Sequence, residues 1–261
     1  MKPSFRNEWP MDSYISSWKL FRHMSDENTQ TARHILTRDS WPKHNDISIL
    51  DIGCGDGLLI KQIITKSKDA ISKVYLLDPD QELINQAHLH VTEISIVDNV
   101  HVFLNKIEEK VPDCYENVDV ILAVHVAYLL PENSFIEMIN KLPLKIPIYI
   151  VLDNPNSIFT KIWKHTAKKY YSRSTKSHKI IKGLPSYKFD VKESSINSCL
   201  SNPLSSHREN IKDSILSILC YADVRDMTIQ EKSRVEKEIA RVVVDDKVIC
   251  ESACYEIIRK R

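Results

Sequence analysis

The sequence predicts an α/β protein built on a mostly parallel sheet with helices on both faces. Three observations predict it. Short apolar runs alternate with helix-patterned segments between residues 47 and 152, which is the rhythm of βαβ units. The run 118–124 (VDVILAV) is apolar enough to be covered on both sides, as parallel strands are. Three of the four glycines in 261 residues, Gly53, Gly55 and Gly57, fall within five positions directly after the first apolar run. A chain that avoids glycine elsewhere needs positive φ or close backbone approach at that point.

The elements follow in order. Residues 12–38 read as helical, with Tyr14, Trp18 and Phe21 at helical spacing and a break with a new cap at Ser25-Asp26. Trp41-Pro42 and a polar run close this segment. Strands are expected at 47–52, 74–77, 100–104, 118–124 and 146–152, and helices at 58–66, 79–90 and 131–142. Beyond residue 155 the pattern loosens. A helix is expected at 157–171, strand and loop at 187–200, helices at 210–222 and 228–241, and a closing hairpin at 242–259 around Asp245-Asp246. Residues 161–182 hold eight lysines and arginines and no acid; a solvated lid helix is the reading preferred over a phosphate-binding face. The chain reads as a single domain: an N-terminal helical cap over 1–45, a core over 46–155, and a lid and closing strands over 156–261.

Composition removes several classes of function. The net charge of +1 gives no electrostatic case for a nucleic-acid or membrane partner. Residues 1–18 lack the apolar run of a signal peptide, and no stretch approaches the ~20 apolar residues of a membrane span, so a cytoplasmic protein is expected. The six cysteines are scattered without a C-x-x-C pair, which indicates neither a disulfide framework nor a zinc site. No metal is expected.

The glycine turn carries the most chemistry. Asp51-Ile52-Gly53-Cys54-Gly55-Asp56-Gly57 leaves a buried strand and enters a helix, and ligands of open parallel sheets sit outside the carboxyl ends of their strands. A dinucleotide fingerprint would need its third glycine where Leu58 stands. A pyrophosphate would also avoid the carboxylates of Asp51 and Asp56. A cationic cofactor without phosphate, S-adenosylmethionine, suits them. Asp78 ends the second strand, placed to accept hydrogen bonds from vicinal ribose hydroxyls; the competing reading is a turn before Pro79.

D-x-G-x-G-x-G, then Asp78, then VDVILAV, together resemble the class I methyltransferase superfamily. The resemblance implies a seven-stranded, Rossmann-like sheet and S-adenosylmethionine as cofactor. It implies a cofactor-binding set of Asp51, Gly53, Cys54, Gly55, Gly57, Asp78, Pro79, Lys106, Ile107, Val124 and His125. Lys106-Ile107-Glu108 would lie beside the adenine, and Val124-His125 near the reacting methyl.

Within that superfamily, residues 14–258 resemble histamine N-methyltransferase and its relatives. The segments that carry this are Tyr14-Ile15-Ser16-Ser17-Trp18-Lys19-Leu20-Phe21 followed by Ser25-Asp26-Glu27, the fourth strand running to His125 and Tyr128, Lys161-Ile162-Trp163-Lys164, and Lys247-Val248-Ile249-Cys250-Glu251-Ser252. The resemblance puts a substrate-amine glutamate on Glu27 and a substrate-contacting position on Glu251 or, one residue on, Ser252. It implies substrate contacts at Tyr14, Trp18, Glu27, Tyr128, Trp163 and Glu251, with His125, Glu27 and Tyr128 as the catalytic set. The sequence departs from the family in its G-C-G-D-G turn, in His125 where the family has glutamine, and at Glu251. Histamine itself is therefore not carried over.

The residues allow bland roles as well. His125 suits a general base but could equally be a strand-end histidine satisfied by backbone. Glu27 is also a helix first-turn acid. Tyr128 and Trp163 could pack rather than wall a cation. The expected partner is a small-molecule acceptor, an amine or azole, with O-methylation and a catalytically inactive cofactor-binding module as alternatives. Asp153-Asn154-Pro155-Asn156 resembles a base-methylating D/N-P-P-Y motif, but follows the wrong strand and lacks the second proline and the aromatic. A metal-dependent catechol-type enzyme would want carboxylates where Val126-Ala127 stand.

Overall fold

The structure is a computed structural model and describes residues 11–94, 97, 99–107, 113–127, 130–164, 176–220 and 223–260. In chain order the elements are α1 (Met11–Met24), α2 (Glu27–Leu36), β1 (Ile47–Ile52), α3 (Leu58–Lys66), β2 (Ile71–Leu77), α4 (Gln81–Thr92), β3 (Asn99–Phe103), β4 (Val120–Val124), α5 (Glu132–Asn140), β5 (Pro147–Asp153), α6 (Ile158–Ile162), α7 (Lys176–Lys182), β6 (Phe189–Ser201), α8 (Glu209–Cys220), α9 (Ile229–Ala240), β7 (Val243–Val244) and β8 (Lys247–Arg259).

The strands form one sheet in the order β3-β2-β1-β4-β5-β8-β6, with β7 paired to β8. The pairs β1–β2, β1–β4, β2–β3 and β4–β5 are all parallel. Every residue of β1 and β5 is buried, as in parallel strands covered on both faces. The strand order reverses between β1 and β4, so a topological switch point lies at the carboxyl ends of these two strands. The glycine turn leaves one of them and His125 follows the other.

The chain divides into two compact units. One comprises 31–152, 175–194 and 253–261 and holds β1 to β5 with the adjoining parts of β6 and β8. Its core is an apolar cluster that includes Leu50, Ile52, Ile121, Ile150, Phe135 and Tyr255. The other comprises 1–30, 153–174 and 195–252. In it α1 packs on α8, and Phe21 meets Phe159 edge-on with ring centroids 6.1 Å apart. Ion pairs tie α8 to α9, among them Lys232 with Glu209 and Lys212 with Glu236. A capping box between Thr228 and Glu231 starts α9.

Several boundaries differ from expectation for identifiable reasons. The second strand starts at Ile71 rather than residue 74. The fourth helix begins at Gln81 because Asp80, not Asp78, caps it, accepting the N–H groups of Glu82 and Leu83. Residues 189–201 are one 13-residue strand instead of strand and loop; one of its faces is mostly polar, and that hid the pattern. The expected helix at 157–171 is described as the five-residue α6, and the rest of it, from 165 onward, lies outside the described residues. The closing hairpin stands as expected, and Asp245 and Asp246 both take positive φ, 50° and 58°, the demand of a two-residue turn between twisted strands. Among the described residues, no helix is long and apolar enough to cross a membrane.

Candidate active site

The glycine turn is cross-braced to the end of β2. The N–H groups of Gly53 and Cys54 both donate to the Leu77 carbonyl, at 2.7 and 3.2 Å, and Gly57 N–H donates to the Cys54 carbonyl. All three glycines have positive φ, 68°, 57° and 76°, so each stands where a side chain would be strained. Two of them also answer a space requirement. A Cβ on Gly53 would lie 2.6 Å from Val126 Cγ2, and one on Gly57 would lie 2.6 Å from the Cα of Ala87 on α4. Gly53 therefore lets the turn sit against the residue that follows His125, and Gly57 lets α3 start against α4.

Asp78 is 5% exposed and braces the turn directly. Its Oδ2 accepts Gly55 N–H at 3.0 Å and its Oδ1 accepts Asp80 N–H at 2.9 Å. A carboxylate offers about four acceptor positions, so an aspartate fixed in this way can also receive hydroxyl donors. Asp51 and Asp56 are buried too, and Asp56 Oδ1 accepts Leu58 N–H at the start of α3. The Cys54 thiol registers these acids. Burial first, then the charges of Asp51, Asp78 and Asp56, push it well above the usual thiol range. Three carboxylates thus converge on a turn whose glycines hold the backbone open, an environment that favours a positively charged ligand and disfavours a pyrophosphate.

His125 has φ 55°, a conformation uncommon for a side-chain-bearing residue, though histidine is among the types found there. Its N–H donates to the Val151 carbonyl at 2.9 Å. Strain of this kind at the carboxyl end of a central strand is characteristic of functional positions. Val124 is half-buried and Pro79 and Lys106 are exposed. Ile107 is buried in the core cluster with Leu77 and Tyr115. Tyr128 and Glu108 lie outside the described residues.

The remaining expected residues belong to the other unit. Glu27 opens α2, and its N–H donates to the Ser25 hydroxyl at 3.1 Å. Asp26 is bound to β6: its Oδ1 accepts Cys199 N–H and its own N–H donates to the Cys199 carbonyl. The buried Cys250 thiol is pushed up by burial and then by the charges of Glu27, Asp153, Cys199 and Asp26, so an acidic group surrounds this point of β8. Side chains alternate along a strand, so Ser252 shares the face of Cys250 while Glu251 points the other way. There Glu251 accepts the Asn154 amide at 2.8 Å and the Ser195 hydroxyl at 3.3 Å. Trp18 carries the Arg22 guanidinium over its ring at 4.3 Å, and Trp163 is buried. Tyr14 lies in the first turn of α1, and its side chain is outside what is described.

Sequence reasoning missed Asp153, which it weighed only as part of a discounted motif, although a buried aspartate ending β5 is itself a signal. It also missed Val126, whose contact with Gly53 is tertiary.

Fold and turn together are those of an open parallel-sheet α/β protein, a class whose ligands sit outside the carboxyl ends of the strands at the switch point. Residues 49–142 match the family described as "Methyltransferase domain", the stretch from β1 through α5. Three solved structures share the fold. YcgJ from Bacillus subtilis is 11% identical over 90% of this chain and 99% of its own, with a TM-score of 0.55. A chain of the complex between the Haloferax volcanii Trm112 methyltransferase activator and a methyltransferase is 13% identical over 97% and 98%, at 0.56. A geranyl diphosphate methyltransferase in complex with GPP and sinefungin is 9% identical over 87% and 77%, at 0.52. No curated protein sequence is detectably similar. The stretch 49–142 is thus that of a methyltransferase domain, and its cofactor is S-adenosylmethionine.

Proposed function

We propose that the protein methylates a small nitrogen compound, an amine or azole able to carry positive charge. The observation that carries this reading is the set of carboxylates, Glu27, Asp153 and Asp26, around the buried Cys250 thiol. Several carboxylates facing one point favour a positively charged ligand over a neutral or anionic one. A geranyl diphosphate methyltransferase uses the same fold, so a small-molecule acceptor is within its range.

The residues divide the work as follows. Asp51, Asp56 and Asp78, with Gly53, Cys54, Gly55 and Gly57, hold the cofactor, Asp78 taking the ribose hydroxyls. Pro79, Lys106, Ile107 and Val124 border it. The cofactor supplies an electrophilic methyl on a sulfonium when bound. Glu27 holds the acceptor cation, and Ser252 lies on the strand face that Cys250 shares. Glu251 fixes the turn after β5 through Asn154. Tyr14, Trp18, Tyr128 and Trp163 provide aromatic surface, and His125 orients the attacking nitrogen or accepts its proton. Most of the acceleration is orientation, since holding nucleophile and methyl in near-attack geometry needs no covalent intermediate.

A protonated amine cannot attack, so activity rises with pH as the acceptor or His125 loses its proton. The test is a screen of amines, azoles, phenols and carboxylic acids with labelled cofactor, then Glu27→Gln on the best substrate. The expected result is turnover of amines or azoles and a rise in KM of ten-fold or more in the variant, on the order of 1.5–3 kcal/mol for a hydrogen bond to a charged group. Turnover confined to phenols or acids, with Glu27→Gln fully active, would replace nitrogen by oxygen as the acceptor.

A further inference from the structure

The glycine turn is gripped from α4 at two consecutive residues. Gly57 has no side chain where Ala87 Cα would stand 2.6 Å from a Cβ. One turn further along the same helix, His90 Nδ1 lies 2.8 Å from the carbonyl oxygen of Asp56. A carbonyl only accepts, so the imidazole is the donor and its proton is on Nδ1. Ala87 and His90 are three apart and share a helix face, and that face meets the turn at Asp56-Gly57.

The geometry points to His90 as a positioning residue for the cofactor, acting through the turn without touching the ligand. Gly55 N–H is committed to Asp78 and Leu58 N–H to Asp56 Oδ1. The placement of Asp78 and Asp56 relative to the glycines therefore depends on the backbone at Asp56. That backbone is fixed on its carbonyl side by His90. Loss of the imidazole donor removes this bond and lets the turn relax away from its geometry. The inference rests on the cofactor reading of the turn, and the experiment separates the two.

The test uses the full chain and four proteins: wild type, His90→Leu, His90→Asn and His88→Leu. Asparagine places its side-chain N–H where Nδ1 stands, so it restores the donor. His88→Leu makes the same chemical change elsewhere on α4. Two readouts are taken, hydrogen exchange of the amides of residues 53–58 in the free protein and calorimetry with S-adenosylhomocysteine. In His90→Leu the turn amides are expected to exchange about five-fold faster and S-adenosylhomocysteine to bind about five-fold more weakly, the effect of one lost hydrogen bond. His90→Asn returns both to within two-fold of wild type, and His88→Leu changes neither. Exchange unaltered in His90→Leu, or an asparagine variant no better than leucine, would overturn the proposal. Accelerated exchange rescued by asparagine, in a wild-type protein that does not bind S-adenosylhomocysteine, would uphold the latch and bring down the cofactor reading instead. If His90→Leu does not fold, His90→Ala takes its place in the same comparison.

Discussion

Gly57 shows at the scale of one residue how packing and ligand binding share a motif. It was expected among the cofactor contacts, yet its missing side chain is explained by Ala87, whose backbone would stand 2.6 Å from a Cβ. Its φ of 76° adds strain for any side chain. Neither cost can be relieved by rotating a side chain, because the obstacle is the Cα of a helix. Gly57→Ala should therefore destabilise the fold by about 2–4 kcal/mol, combining overpacking with left-handed strain. Urea denaturation checks it, and a loss below about 1 kcal/mol would mean that α3 and α4 can separate cheaply. The same scale shows what sequence reasoning could reach. Asp78 was legible as a carboxylate at the carboxyl end of the strand that follows the glycine turn. Its bond to Gly55 N–H was not, since that depends on how two strand ends are juxtaposed.

At the scale of elements, α2 and β8 meet through charge at a buried point. Arg38, just beyond α2, donates from Nε to Glu256 Oε2 at 3.1 Å, and the Glu256 side chain is 3% exposed. Lys192 on β6 approaches the other oxygen at 3.5 Å from a half-exposed position. Removing the guanidinium leaves a buried carboxylate with one distant partner, which costs more than an intact pair gains. Arg38→Leu should lose about 3 kcal/mol in chemical denaturation, and Arg38→Leu with Glu256→Leu should recover part of that loss. A double variant worse than the single one would contradict it. Element existence was legible where the apolar pattern was strong, as in β1, β4 and β5, whose side chains are all buried but for the half-buried Val124. It was poor for β6, where Asp190, Lys192, Glu193 and Asn197 interrupt the apolar pattern and only pairing with β8 makes the segment a strand. The start of α4 was misplaced because Asp80 and Asp78 look alike as caps until the hydrogen bonds of each are known.

At the scale of the whole molecule, the buried thiols and phenols set its response to alkali. Burial raises Cys54, Cys220, Cys250, Tyr115, Tyr149 and Tyr255 above their ordinary ranges and carries Cys254 up to about 12. Unfolding returns these groups to ordinary values, so above about pH 9 the unfolded chain binds fewer protons than the folded one. Stability then falls with rising pH, by up to about 1.4 kcal/mol per unit for each group. It is fully present below the unfolded thiol range and is lost as pH climbs toward the folded values. Urea midpoints measured from pH 7 to 10.5 should be flat on this account to about pH 8.5 and then drop steeply. A flat profile throughout would show that these groups are accessible to solvent.

The class of fold was legible in the sequence because it rests on periodicity and one glycine cluster. The acidic surroundings of Cys250 were less so, since Glu27, Asp153 and Cys250 lie far apart in the chain. The central claim is that the acidic glycine turn and Asp78 bind S-adenosylmethionine, and calorimetry with S-adenosylhomocysteine on wild type and Asp78→Ala tests it most directly. The account predicts saturable binding by the wild type, at least ten-fold weaker in the variant, since a lost charged hydrogen-bond partner costs on the order of 1.5–3 kcal/mol. Wild-type protein that ignored S-adenosylhomocysteine, or preferred a nicotinamide dinucleotide, would contradict it.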